Sequence, residues 1–279
     1  MRLDAVTVLY RPTAENVAKI LQYAPLFHRP FLLDNSEQTD ETIVRPLQAA
    51  PNAVFLSMGG NRGIAAALRK GMALAAEDGA DFCLTMDQDS VFPTERMPQI
   101  VSYLAREDAD EYGIIALNIN GTGAERGLVP VKVWITSGNF VNMKNYAAID
   151  GFREELFIDS VDFDLDRQFH AIGKKIAYIG EISLRHKIGA PVRRKFLGRA
   201  VTVTNHSPVR CYYRFRNNYV LYHEDKTFYR DIYRADRKQL WKILLFEKEK
   251  FKKGKMIRLG IRHAKRRQLG PLPTEDSNV

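Results

Sequence analysis

The run Thr85-Met86-Asp87-Gln88-Asp89-Ser90 sets two carboxylates one residue apart, directly behind a short apolar stretch. In extended or turning backbone, residues i and i+2 project to the same side. Both carboxylates can therefore face one hard divalent cation, Mn²⁺ or Mg²⁺, or the phosphates it would hold. A second acidic group, Phe157 to Arg167, carries Asp159, Asp162, Asp164 and Asp166. Read as a helix, it places Asp159, Asp162 and Asp166 on one face and turns Asp164 away. Capping and the helix dipole account for Asp159 but do not call for four acidic residues. Like charges this close raise one another's pKa, which suits a carboxylate that must take a proton.

Arg210, Arg214, Arg216 and Asn217 offer planar donors that could hold phosphate oxygens; they equally suit a solvated basic connection. Trp134 stands beside Thr136-Ser137-Gly138-Asn139. Its ring could stack on a ligand ring or fill the core, and the Ser-Gly pair would let backbone approach a ligand closely. Gly59-Gly60-x-x-Gly63 lacks the spacing of a dinucleotide loop and the Gly-Lys-Ser/Thr of a P-loop, which argues against both classes.

The elements behind these residues alternate. Ala5–Tyr10, Pro30–Leu33, Ala53–Leu56 and Phe82–Met86 read as strands; 13–23 and 61–76 read as helices. This order implies a mainly parallel sheet with helices on both faces, which binds ligands beyond the carboxyl ends of its strands. Those ends carry Tyr10-Arg11-Pro12, Asp34-Asn35-Ser36, Met58-Gly59-Gly60-Asn61 and Asp87-Gln88-Asp89. Farther on, strands are expected at 113–117, 131–135 and 175–178, with an acidic helix from Asp159. A basic connection is expected at 190–216, helices over 217–270 and a disordered polar tail at 271–279.

The chain has 279 residues, a net charge of +9 and two Cys. Cys83 and Cys211 cannot form a disulfide scaffold, no apolar stretch reaches the roughly 18 residues of a spanning helix, and the first residues lack a secretion-signal layout. A cytoplasmic protein is expected. The charge is segregated: residues 226–267 hold 16 basic and four acidic residues, whereas 1–225 are nearly balanced. Within that segment, Trp241 and several Leu, Ile and Phe alternate with Lys and Arg, as in a helix lying on an anionic membrane. Packing on the body or on a second subunit, in a homodimer, is the alternative. A nucleic-acid-binding module gripping phosphates through 226–267 is disfavoured, because Asp159–Asp166 would repel that ligand and the body has no basic patches.

Six motifs then occur in one order: Val6-Thr7-Val8-Leu9-Tyr10-Arg11-Pro12, Leu33-Asp34-Asn35-Ser36, Asn61-Arg62-Gly63-Ile64-Ala65, Asp87-Gln88-Asp89, Thr136-Ser137-Gly138-Asn139 and Asp159-Ser160-Val161-Asp162-Phe163-Asp164. Over about residues 4–222 the chain resembles the inverting family 2 glycosyltransferases of GT-A fold. Ile182–Gly189 and His206–Asn217 are most similar to bacterial rhamnosyltransferases of surface-polysaccharide assembly.

The resemblance implies an α/β GT-A domain at 1–222, with a nucleotide-sugar half (1–120) and an acceptor half with a lid (121–222). A basic helical appendage follows at 223–270. It implies that Thr7, Tyr10, Arg11 and Asp34 hold the base, and that Asn61 and Arg62 hold the nucleotide. Asp87 would face the ribose and diphosphate, and Asp89, with Asp87 and His186, would ligate the cation. Arg210, Arg214, Arg216 and Asn217 would close on the diphosphate. Trp134, Ser137, Gly138 and Asn139 would meet the acceptor. Asp162 falls at the catalytic base. Asp159 is the alternative, since Val161 stands where the family more often has Glu. The implied donor is a nucleoside-diphosphate sugar, dTDP-rhamnose or another UDP- or GDP-sugar. The implied acceptor is a saccharide or lipid-linked saccharide, met by an enzyme peripheral on the inner face of the plasma membrane.

Overall fold

The structure is a computed structural model that describes residues 1–121, 124–186, 205–273 and 275, and the backbone of 192–196 and 199–203. Apolar runs alternating with amphipathic stretches fold as β1 (Leu3–Leu9), α1 (Ala14–Tyr23), β2 (Arg29–Asp34), α2 (Glu41–Gln48), β3 (Val54–Ser57), α3 (Ile64–Glu77) and β4 (Phe82–Asp87). There follow α4 (Met97–Leu104), β5 (Tyr112–Ile119), β6 (Leu128–Val131), β7 (Asn139–Asn142), α5 (Met143–Tyr146), α6 (Val161–Ala171) and β8 (Lys175–Leu184). The chain continues through β9 (Val192–Phe196), β10 (Arg199–Val203), α7 (Pro208–Glu224), α8 (Lys226–Phe246) and α9 (Lys250–Lys265).

Eight strands form one sheet in the order β3-β2-β1-β4-β7-β5-β8-β6. All seven residues of β1 are buried, and it pairs in parallel with β2 and β4, as a near-continuous apolar strand covered on both faces should. Gly71 lets α3 lie close on this sheet: a Cβ there would come within 2.5 Å of Val6 Cγ1. β7 runs antiparallel between β4 and β5 and closes the sheet across its centre. The strand expected at 131–135 ends at Val131, and the chain from Lys132 to Gly138 is irregular, which frees those residues to cross behind the metal-type loop.

The chain divides into two compact units, residues 1–154 with 162–186, and residues 155–161 with 187–279. The division falls before α7 rather than at 222, because α7 builds its core with the helices that follow it. Cys211 and Phe215 join Ile243 and Ile257, while Tyr212 and Tyr213 join Met256 and Leu259. Leu272 also packs there, and its N–H donates to Tyr213 Oη at 2.6 Å, so the start of the expected tail is tied down. Residues 274 and 276–279, and Lys187, Ile188 and Gly189 of the motif at 182–189, lie outside the described residues.

Candidate functional site

β4 delivers Asp87 at its carboxyl end and turns at once, leaving the side chains of Asp87 and Asp89 33% and 40% exposed. Behind the turn, the buried Ser137 hydroxyl accepts from Asp87 N–H at 3.1 Å and bonds Ser90 Oγ at 2.8 Å. Ser90 Oγ in turn bonds His186 Nδ1 at 2.8 Å. Asn120 grips the His186 backbone on both sides, accepting its N–H at 3.0 Å and donating to its carbonyl at 2.6 Å. His186 Nδ1 stands 3.5 Å from Asp89 Oδ1, and Nε2 stands 3.8 Å from Asp87 Oδ2. One donor atom from each of the three lies within 4.8 Å of the others. Two carboxylates and an imidazole, oriented by Ser90, fit a divalent cation of the Mn²⁺ or Mg²⁺ kind. The structure brings together the three metal-type residues read from the sequence, although His186 is 97 positions from Asp89. It reaches them because β8 pairs with β5 and the bridge Val91–Arg185 ties its end to the loop after β4.

Ser137 therefore shapes this loop instead of facing an acceptor. Gly138 and Asn139 are likewise buried, with Gly138 N–H donating to Thr85 carbonyl at 2.8 Å and its carbonyl accepting from Leu117 N–H at 2.9 Å. Gly138 has φ +83°, and a Cβ there would meet Leu184 Cδ2 at 2.7 Å, so Gly is required. Ser137, Gly138 and Asn139, which the motif assigned to the acceptor, thus lie buried behind the Asp87 turn. Trp134 is only partly buried, stacked on Tyr178 with centroids 4.5 Å apart, and its Nε1 donates to Leu117 carbonyl at 3.2 Å.

At the neighbouring strand ends, Gln88 holds β1 to the acidic turn, accepting from Tyr10 N–H at 2.9 Å and donating to its carbonyl at 3.0 Å. Tyr10 and Arg11 are exposed and both reach Glu37, at 2.9 and 3.1 Å. Asn35 accepts from Arg62 N–H at 2.8 Å and donates to Asn61 Oδ1 at 3.3 Å. The exposed Arg62 guanidinium has no hydrogen-bond or ionic partner among the described residues, so it is available to an anion. Thr7 and Asp34 are different. Thr7 is 1% exposed and bonds Tyr23 Oη at 2.6 Å; Asp34 is fully buried, accepting from Ser36 Oγ at 2.6 Å and from Thr39. Neither presents a free polar atom to a base, so both shape the wall from behind.

The acidic segment also departs from its helical reading. The helix begins at Val161, and Asp159 precedes it with φ +65°, so Asp159 does not share a helical face with Asp162 and Asp166. Asp159 is instead ion-paired to Arg210 at 3.2 Å. Asp164 is fully buried, with Gln168 Nε2 at 2.8 Å and Arg153 and Arg167 at 3.6 and 3.5 Å. Asp166 is buried too and accepts from Trp134 N–H at 2.7 Å. Burial pushes its pKa well up, and the Asp162 charge adds to this. Asp162, in the first turn of α6, is the half-buried member of the helical set, accepting from Phe163 N–H at 2.9 Å.

All four residues assigned to a diphosphate clamp are engaged inside the second unit, Arg210 by its ion pair with Asp159. Arg214 pairs with buried Asp236 at 2.8 Å. Arg216 is fully buried and donates to the carbonyls of Gly270 at 2.6 Å and Leu156 at 3.1 Å. Asn217 Nδ2 donates to the carbonyls of Leu156, Ile158 and Asp159 at 2.8–2.9 Å. A guanidinium suits carbonyls as well as phosphates, and here carbonyls take it. The sequence reading missed Ser90, Asn120, Gln88 and Asn35. Gln88 alone carried a local signal, since the residue between two same-side carboxylates must point the other way.

Residues 13–152 match the family described as Glycosyl transferase family 2. The chain is similar to the dTDP-rhamnosyl transferase RfbF of Shigella flexneri, with 30% identity over 237 residues, 78% of each chain. Among solved structures it is similar to residues 1–349 of S. aureus TarS, also solved with UDP: TM-score 0.53, 14% identity, 94% of this chain and 72% of that one. It is similar also to GalNAc-T7 solved with UDP, GalNAc and Mn²⁺: TM-score 0.57, 11% identity, 85% of this chain and 50% of that one.

Proposed function

The chain belongs to glycosyl transferase family 2 and has the GT-A fold, and from that premise we propose that it is a metal-dependent, inverting rhamnosyltransferase. The donor is dTDP-rhamnose and the acceptor a saccharide or lipid-linked saccharide of a cell-surface polysaccharide. The enzyme works in the cytoplasm, at the inner face of the plasma membrane. The observation that carries this reading is the Asp87–Asp89–His186 set at the carboxyl end of β4, together with the likeness to a dTDP-rhamnosyl transferase.

A divalent cation on those three residues would neutralise the charge that grows on the departing diphosphate. Arg62 lies at a neighbouring strand end and binds phosphate oxygens through its free guanidinium. Tyr10 and Arg11, paired through Glu37, form the exposed floor on which a pyrimidine rests. Asp162 accepts the proton of the acceptor hydroxyl as its oxygen forms the new bond to the anomeric carbon and the bond to the diphosphate breaks. One displacement from the opposite face inverts that carbon. Trp134, braced by Tyr178, offers a ring edge to the acceptor sugar.

The likeness to structures solved with UDP supports a second donor class, UDP-sugars. The test is a panel of nucleotide sugars with and without EDTA. Turnover confined to dTDP-rhamnose, lost with EDTA and restored by Mn²⁺ or Mg²⁺, is the expected result. Transfer that persists in EDTA would overturn the metal role, and transfer from a UDP- or GDP-sugar alone would overturn the donor.

A further inference from the structure

Helix α8 buries one face and leaves the other apolar over its last two turns. At about 100° per residue, Tyr229, Asp236 and Ile243 fall on one side, and all three are buried. Trp241 and Leu245 fall on the other side and Leu244 on the flank between, and they are 66%, 53% and 42% exposed. Phe251, in the first turn of α9, is 87% exposed. Large apolar side chains left singly on a surface need no explanation, but four within eleven positions do.

Their surroundings are positive. Arg237, Lys238, Lys248, Lys250 and Lys255 are exposed around them. Of the acidic residues between 237 and 258, Glu247 is buried against Lys253 at 2.8 Å and Glu249 lies 3.5 Å from Lys252, so neither offsets this rim. We infer that this face of α8 and the start of α9 docks on an anionic bilayer, with Trp241, Leu244, Leu245 and Phe251 at the acyl boundary and the basic side chains among lipid phosphates.

Charge complementarity selects that occupant. A two-fold contact with a second copy would set this basic rim against itself, whereas anionic headgroups present the opposite charge. Among the described residues no helix is long and apolar enough to cross a membrane, so the helices lie in the plane of the interface. Trp is the side chain that suits this depth best, with an apolar body and a polar edge.

The full chain is mixed with vesicles of equimolar phosphatidylglycerol and phosphatidylcholine, or of phosphatidylcholine alone, and sedimented. It should sediment with the former, come off at high salt, and show a blue shift of tryptophan emission on binding, since Trp241 is the exposed one of the chain's two tryptophans. The triple variant Trp241→Ser, Leu245→Ser, Phe251→Ser should partition at least about tenfold more weakly at an unchanged melting temperature. Three results overturn the inference: no sedimentation of the parent, binding of the variant equal to the parent's, or a parent dimer in solution that the variant converts to a monomer.

Discussion

Two neighbouring carboxylates, Asp159 and Asp162, have the same chemistry and opposite environments. Asp159 is held by the Arg210 guanidinium, whereas Asp162 stands half-buried in the first turn of α6, where its charge helps to raise the pKa of buried Asp166. Asp162→Asn should therefore lower turnover by about 10² to 10⁴, while the nucleotide Kd stays within about twofold. Asp159→Asn should leave turnover within a few-fold. Steady-state kinetics and nucleotide titration of both variants check this, and an active Asp162→Asn enzyme would remove Asp162 from the mechanism. The same contrast governs His186, whose ring is set by Ser90. Ser90→Ala should weaken Mn²⁺ binding about 10- to 100-fold, read by calorimetry without any substrate. Asp87 and Asp89 were legible in the sequence because two carboxylates at i and i+2 behind a strand are a local signal. Ser90, Ser137 and Asn120 were not, because their roles arise from contacts 47 to 96 positions apart or from backbone they hold.

The elements legible in advance are those whose pattern is local: the parallel strands β1, β2, β3 and β4 and the Ala-rich α3. β7 was not, because Asn139-Phe140-Val141-Asn142 reads as a polar turn until β4 and β5 are there to flank it. α2 carries Pro46 in its interior and was hidden by it. The opposite end of the sheet from the metal-type loop carries a second group, where Asp4 of β1 meets Asp78 after α3 and His28 before β2. Asp4 is fully buried, and its Oδ2 has no donor among the described residues. Burial, the Asp78 charge and a carboxyl–carboxylate hydrogen bond push its pKa from 3.8 to about 6, with Arg2 and His28 opposing the rise. Between those values the folded chain keeps a proton that the unfolded chain has lost. The favourable contribution is then complete below pH 4 and is lost as pH rises through 6, a change of about 3 kcal/mol. Asp4→Asn supplies a permanent donor to Asp78. It should flatten the profile of urea midpoint against pH over that window and raise stability at pH 8 by about 1–3 kcal/mol; an unaltered slope would assign the pH dependence to another group.

On the scale of the whole molecule, the net charge of +9 separates into a nearly neutral body and a strongly basic segment at 226–267. That asymmetry was plain in the sequence; the point at which the second unit begins was not. Its helices recruit residues 155–161 from between two stretches of the first unit, and Arg216 and Asn217 together hold them. Buried with the rings of Tyr212 and Tyr213 4.9–5.3 Å from its guanidinium carbon, Arg216 donates to the carbonyls of Glu155, Leu156 and Gly270. A phosphate clamp and a structural strut predict different failures. If Arg216 closed on the diphosphate, Arg216→Met would raise the donor KM and leave the melting temperature alone. Arg216→Met instead removes a buried guanidinium that donates to the Gly270 carbonyl and shares those of Glu155 and Leu156 with other donors, so the variant should lose about 2–4 kcal/mol of stability in the second unit. The unfolding should appear first at α7 and α9, since both ends of the strut lie there and in 155–156. Hydrogen exchange resolves the two cases: faster exchange of the α7 and α9 amides with protection of β1 and β4 retained marks the strut, and unaltered exchange with a raised KM marks the clamp.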